Sequence, residues 1–355
     1  MTDTLRGFAR TIGIDYSGAE TAEASLKGLR VYQTLGDEEA QEVPPPAGPK
    51  QYWTRRGLAA WLVQELDNRV PTIVGIDHAF SFPMRYFERH RLAPDWVSFL
   101  NDFCAHWPTD EPHTYVDFVR NGQVGSGAAR MGERTWRRLT EEATGSAKSV
   151  FHFDVQGSVA KSTHSGIPWL RALRRARPEL HFWPFDEWTP TPGASVVVEA
   201  YPRLWSATYP RDARTPDQHD AYVIARWLQE ADRSGDLSGA FAAPEPEPVA
   251  MTGQVEGWIL GATWPPAKKS KSKQKQKPSM QGAAPARTTR PGFVNRNEQE
   301  VLRKTDLHGN DHNQLVYILR CQRCGECYGA NGSDIFQRRC PACGAGRPGL
   351  PIDHA

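Results

Sequence analysis

Three short apolar runs in this chain stop on a carboxylate, and a further carboxylate pair opens a later helical stretch. TIGID ends at Asp15, IVGID at Asp77 and VVVE at Glu199, while TPDQHDAYVIA carries Asp217 and Asp220. Runs of this composition suit buried strands whose tips open at one edge of a sheet, and three consecutive valines argue for burial on both faces. In the last segment Thr215 is a good N-cap, Pro216 fits the first helical position and Gln218 completes a capping box, which puts Asp217 and Asp220 on one helix face. Taken singly, each acid has a plainer role, as a turn cap or as a partner of the helix dipole. Independent capping does not predict acids on three strands plus a helix pair, however, and Glu199 must face a metal ion or find another partner if it is buried. A shared acidic site of oxygen ligands for divalent metal is the expectation.

The order of elements constrains the sheet. The pattern predicts a strand at 10–16, two more between 21 and 34, a proline-rich loop at 43–50, a helix at 54–69 and a strand at 72–77. Leu58, Trp61, Leu62 and Leu66 recur at helical spacing, as a core-facing stripe does. Residues 80–165 read as a large insertion whose aromatics, among them Trp96, Phe99, Phe103, Trp107 and Trp136, pack a cap over the sheet edge.

At these segments the chain resembles a family. GIDYSGAE, VGIDHAFSFP, KSVFHFDVQGSVAKSTHSGIPWL, VVVEAYPRLW and DQHDAYVIA are similar, in the same order over roughly residues 8–235, to the domain-of-unknown-function 429 group of RNase H-like predicted nucleases. The spacing of Asp217 and Asp220 also resembles the last acidic pair of Holliday-junction resolvases. The resemblance implies an α/β fold with a mixed five-stranded RNase H-like sheet flanked by helices. It makes Asp15 the first-strand carboxylate, Asp77 the fourth-strand one and Asp217 or Asp220 the helix carboxylate, with Mg²⁺ or Mn²⁺ as the metal. Glu199 matches the family's Glu-x-Tyr-Pro motif. Resolvase-like enzymes that cut two strands often work as homodimers.

Two segments are candidates for handling a nucleic-acid backbone. NGQVGSGAARMGERTWRRL places Arg130, Arg134, Arg137 and Arg138 on an expected helix, either as a basic stripe beside the acids or as a solvated face balanced by Glu133, Glu141 and Glu142. GSVAKST is not a P-loop, because Ala160 and Val155 stand where that loop needs glycine. Its Lys161, Ser162 and Thr163 remain candidates to touch phosphate oxygens, with an ordinary loop as the alternative.

Charge divides the chain into three. Residues 1–263 carry 27 basic against 34 acidic side chains, residues 264–291 carry 8 against none, and residues 292–355 carry 8 against 7. The middle stretch is rich in Lys, Pro and Gln and reads as a disordered linker that either tethers or grips phosphates non-specifically. The chain shows no long apolar span and no signal-peptide core, so a soluble cytoplasmic protein with no membrane partner is expected.

The tail, 292–355, holds the strongest local signal. CQRCG and CPACG form two Cys-x-x-Cys-Gly knuckles fifteen residues apart, a spacing that suits a closed, structural Zn²⁺ site on Cys321, Cys324, Cys340 and Cys343 with Cys327 spare. QLVYILRC and DIFQRRC read as the strands of a zinc ribbon leading into them. Such a module could contact nucleic acid or dock a protein partner.

Three readings follow. The first is a metal-dependent nuclease that hydrolyses phosphodiester bonds of DNA or RNA with two ions. The second is a non-catalytic nucleic-acid-binding or docking adaptor on the same fold. The third, a sugar-kinase-like phosphotransferase suggested by GIDYSGAE, ranks last, because it needs a duplicated domain and a second phosphate loop.

Overall fold

The computed structural model describes residues 7–66, 70–155, 157–265, 288–309 and 315–352. Most of the expected basic linker, at 266–287, lies outside the described residues. The chain divides into two compact units, Met1–Ser270 and Lys271–Ala355.

The first unit is built on β1 (Arg10–Asp15), β2 (Arg30–Leu35), β3 (Gln41–Glu42), β4 (Thr72–Asp77), β5 (His181–Phe182) and β6 (Val196–Glu199), in the order β3-β2-β1-β4-β6-β5. β2 runs antiparallel to β1 and β3, whereas β1, β4, β6 and β5 are mutually parallel. The expected five strands are therefore six, because His181–Phe182 adds a short strand beside β6. The two strands expected between 21 and 34 are one. Residues 21–29 form turns that still bury Leu26 and Leu29, and the third strand comes later, at Gln41–Glu42, just before prolines that have no N–H to extend it.

Helix α1 (Arg55–Glu65) starts on the Thr54 cap and ends on the Leu66 cap, where Arg10 bonds both the carboxylate and the carbonyl of Glu65; positions 67–69 of the expected helix lie outside the described residues. Leu58, Leu62 and Leu66 are buried as their spacing requires, and Trp61 packs at the margin. The insertion carries α2 (Met84–His90), α3 (Trp96–His106), α4 (Val116–Arg120) and α5 (Leu139–Thr144), and it closes where α6 (Ala160–Ala176) begins. Phe82, Phe99, Phe103, Trp107 and Phe151 join one continuous core with Ile12, Ile14 and Ile76 of the sheet. The aromatics are packing, as their density suggested.

The opposite sheet face is covered by α7 (Pro216–Ser234), which opens with the anticipated capping box: Gln218 N–H donates to Thr215 Oγ1 at 3.3 Å, and Thr215 N–H donates to Gln218 Oε1 at 3.0 Å. Gly13 and Gly75 stand in register on β1 and β4. A Cβ at Gly13 would lie 2.2 Å from the Ala221 carbonyl, and one at Gly75 would lie 2.5 Å from Ile224. The two glycines form the notch that lets α7 lie against the sheet. α8 (Asp236–Ala240) and α9 (Glu247–Glu256) complete the unit.

The second unit is a three-stranded antiparallel sheet, β7 (Gln299–His308), β8 (Leu315–Cys321) and β9 (Cys327–Asn331), around Val301, Leu319, Tyr328 and Ile335. β8 matches the first expected ribbon strand. DIFQRRC does not form a strand: it is a turn followed by irregular chain, fixed by Asn295, whose side-chain amide donates to the Ile335 and Arg338 carbonyls.

Candidate functional site

Asp15 and Asp77 are register partners at the ends of neighbouring parallel strands, so both side chains leave the same face. Two residues earlier on that face lies the glycine notch. By admitting α7, the notch delivers the first turns of the helix, with Asp217 and Asp220, to the two strand ends. The proximity shows in the acidities. Burial, followed by the charges of Asp77, Asp220 and Asp217, pushes the Asp15 carboxyl well above the usual range against a backbone hydrogen bond from Tyr16. Burial, Asp220 and Glu199 do the same for Asp77. Asp220 is pushed up to about 6 by burial and by Asp217. Four carboxylates thus share one region and repel one another.

Glu199 is the exception among the acids. Its strand pairs with β4 so that Glu199 stands beside Ile76, which turns it to the opposite face from Asp77. There Arg138 holds it, with NH1 and NH2 donating to its two oxygens at 2.7 and 2.6 Å. The same guanidinium bonds Glu141 at 3.0 Å through Nε. Of the two partners weighed for Glu199, the one the structure supplies is arginine.

The expected basic stripe is not formed. Residues 131–138 are not helical, and Gly132 packs so close to Phe151 that a Cβ there would come within 2.2 Å of its ring. Arg138 is buried with Glu199, Arg137 is spent on the carbonyls of Glu141 and Ala147, Arg130 pairs with Asp102 at 2.8 Å, and Arg134 is exposed.

Lys161, Ser162 and Thr163 form the first turn of α6 and divide in role. Lys161 and Ser162 line a cleft of ≈ 410 Å³ together with Asp15, Ser17, Tyr115 and Asp217. Across it Lys161 pairs with Asp117 at 2.5 Å. Thr163 is buried, and its hydroxyl accepts the Ala79 N–H at 3.1 Å, so it braces the chain just beyond Asp77 and is not a wall of the cleft.

One contributor had no signal in the sequence. Arg55, fully buried at the start of α1, donates to the carbonyls of Ser17, Ala19 and Glu20 at 3.0, 2.7 and 2.8 Å and so fixes the loop that floors the cleft. An arginine in the first turn of a helix is ordinary, and only the fold shows where it reaches.

In the second unit Cys321, Cys324, Cys340 and Cys343 present sulfurs that all lie within 4.8 Å of one another, so the set could hold a metal ion. The Cys321–Cys343 and Cys324–Cys340 sulfur pairs are each 3.6 Å apart, close to the ~3.8 Å edge of a tetrahedron built on a zinc–sulfur bond of about 2.3 Å. The set is compatible with zinc. Cys327 is exposed and faces the Gly325 carbonyl. Among the described residues no other group of three or more candidate ligands converges this closely, the acids of the first unit included.

No family model, no curated protein and no solved structure matches this chain. No described helix is long and apolar enough to cross a membrane.

Proposed function

We propose that the first unit is a metal-dependent nuclease with an RNase H-like core, in which Asp15, Asp77 and Asp217 or Asp220 hold Mg²⁺ or Mn²⁺. The observation that carries this reading is the meeting of four carboxylates from two strands and one helix, at the cost of visible mutual repulsion. Carboxylates that raise one another's pKa in this way gain most from a cation. The sheet order, with an antiparallel β1–β3 meander followed by parallel strands, and the order of α1 and β4 along the chain also support it. Oxygen donors alone suit these ions. The carboxylates do not converge on one point, but Mg²⁺ bound by one or two of them keeps several waters and takes phosphate oxygens from a substrate. When bound, the ions would supply an activated water and stabilise the leaving oxygen. Asp15 and Asp77 from the strand ends, with Asp217 or Asp220 from α7, would hold the ions. Lys161, released from Asp117, would reach a phosphate oxygen in the cleft.

A non-catalytic adaptor is favoured by one observation: the acids, though neighbours, do not converge on one point as the cysteines do. Cleavage assays with Mn²⁺ across duplex, single-stranded, branched and RNA–DNA hybrid substrates separate the two. Activity in the parent that is lost in Asp15→Asn and Asp220→Asn, with the fold intact, supports the nuclease. A parent inert on every substrate supports the adaptor.

A further inference from the structure

The second unit carries a surface that its cysteine cluster does not explain. Ser333, Gln337, Arg338, Arg339 and Arg347 enclose a recess of ≈ 440 Å³. Its floor is pinned by hydrogen bonds: Arg338 is buried, donates to the Pro348 and Arg347 carbonyls at 2.6 and 3.2 Å, and faces Asp334, the recess's one carboxylate, at 3.8 Å. Arg339 and Arg347 are exposed and have no carboxylate partner among the described residues. In the same turn as Gln337, Phe336 is 51 % exposed, with the Arg296 guanidinium 5.8 Å from its ring centre.

We propose that this face, with Phe336 flanked by Arg296 and the recess of Arg339 and Arg347, docks single-stranded nucleic acid. Unpaired guanidiniums over a polar hollow fit phosphate, which is the major source of non-specific affinity. An exposed ring beside a guanidinium is a platform for an unpaired base, and a duplex offers none to stack. Arg339 also borders the cysteine cluster, where it would balance thiolate charge, but Arg347 and Phe336 do not line that recess. They are the residues that test the idea.

The proposal rests on the nucleic-acid reading above, and its test is kept apart from cleavage. Full-length protein carrying Asp220→Asn is titrated, without divalent metal, into a labelled oligothymidylate over a range of salt, alone and with Phe336→Ala, Arg347→Gln or Arg347→Glu added. The 266–287 lysines are common to all these chains, so differences between them report on this face. Loss of stacking in Phe336→Ala should weaken binding about tenfold. Arg347→Gln should weaken it and lower the slope of log affinity against log salt by roughly 0.7, with Arg347→Glu weakening it further. One metal per chain in each variant shows that the knuckles stay folded. Affinity and slope unchanged in both Phe336→Ala and Arg347→Gln would overturn the proposal and hand the face to a protein partner. Cleavage can fail in the parent while these differences persist, so the two readings fall separately.

Discussion

Arg138 reaches Glu199 through both terminal nitrogens, at 2.6 and 2.7 Å, in a place where neither side chain has more than a few per cent of its surface in water. A buried charge pair of this kind is costly to break from one side, because the survivor is left without compensation.

Arg138→Met should therefore cost about 3–5 kcal/mol, leaving Glu199 and Glu141 buried against each other. Chemical denaturation of the chain measures it. Adding Glu199→Gln should recover part of the loss, and a cost below about 1 kcal/mol would mean that the pair is not what holds this corner.

The acidic cluster should make stability fall as pH rises. A carboxyl whose pKa is higher folded than unfolded holds its proton more tightly in the folded state. For Asp220 the penalty accordingly grows from its ordinary value near 4 up to about 6, then stays constant. Asp220→Asn should stabilise the protein by roughly 1 kcal/mol at pH 7, since solvent at the open edge screens the charge, and by nothing at pH 4. Melting curves at the two pH values decide, and an equal effect at both would remove ionisation as the cause.

Gly13→Ala should disturb the acids without altering one of them. Its methyl would sit 2.2 Å from the Ala221 carbonyl, so α7 must shift, at a cost of about 1–3 kcal/mol. Mn²⁺ binding, followed calorimetrically, should weaken in parallel. Gly239→Ala, where a methyl meets nothing within 4 Å, is the neutral comparison.

Metal analysis should find one zinc per chain in the parent and in Cys327→Ser, and none after Cys340→Ser with Cys343→Ser. Retention of zinc in the double variant would remove these sulfurs from the ligand set.

What could be read in advance was local. The strand tips at Asp15 and Asp77, the Thr215 capping box and the paired knuckles each lie in a few consecutive residues whose chemistry dictates their geometry. What could not be read depended on register or on reach. Glu199 was open to a metal or to another partner, and which it takes depends on the stagger of β6 against β4, on which VVVE is silent. Arg138 looked like part of an exposed stripe because helical spacing was assumed across Gly132, which packs on a ring from a residue nineteen positions later.

The first turn of α6 touches the chain just past both strand tips. Thr163 ties it to Ala79, two residues after Asp77, and Gly18, three residues after Asp15, lies so close that a Cβ there would come 2.2 Å from the Lys161 carbonyl carbon. This turn acts as a bolt through two jaws. Lys161 stands on that same turn and lines the cleft, so one helical turn both walls the cleft and fixes the chain beyond the two aspartates.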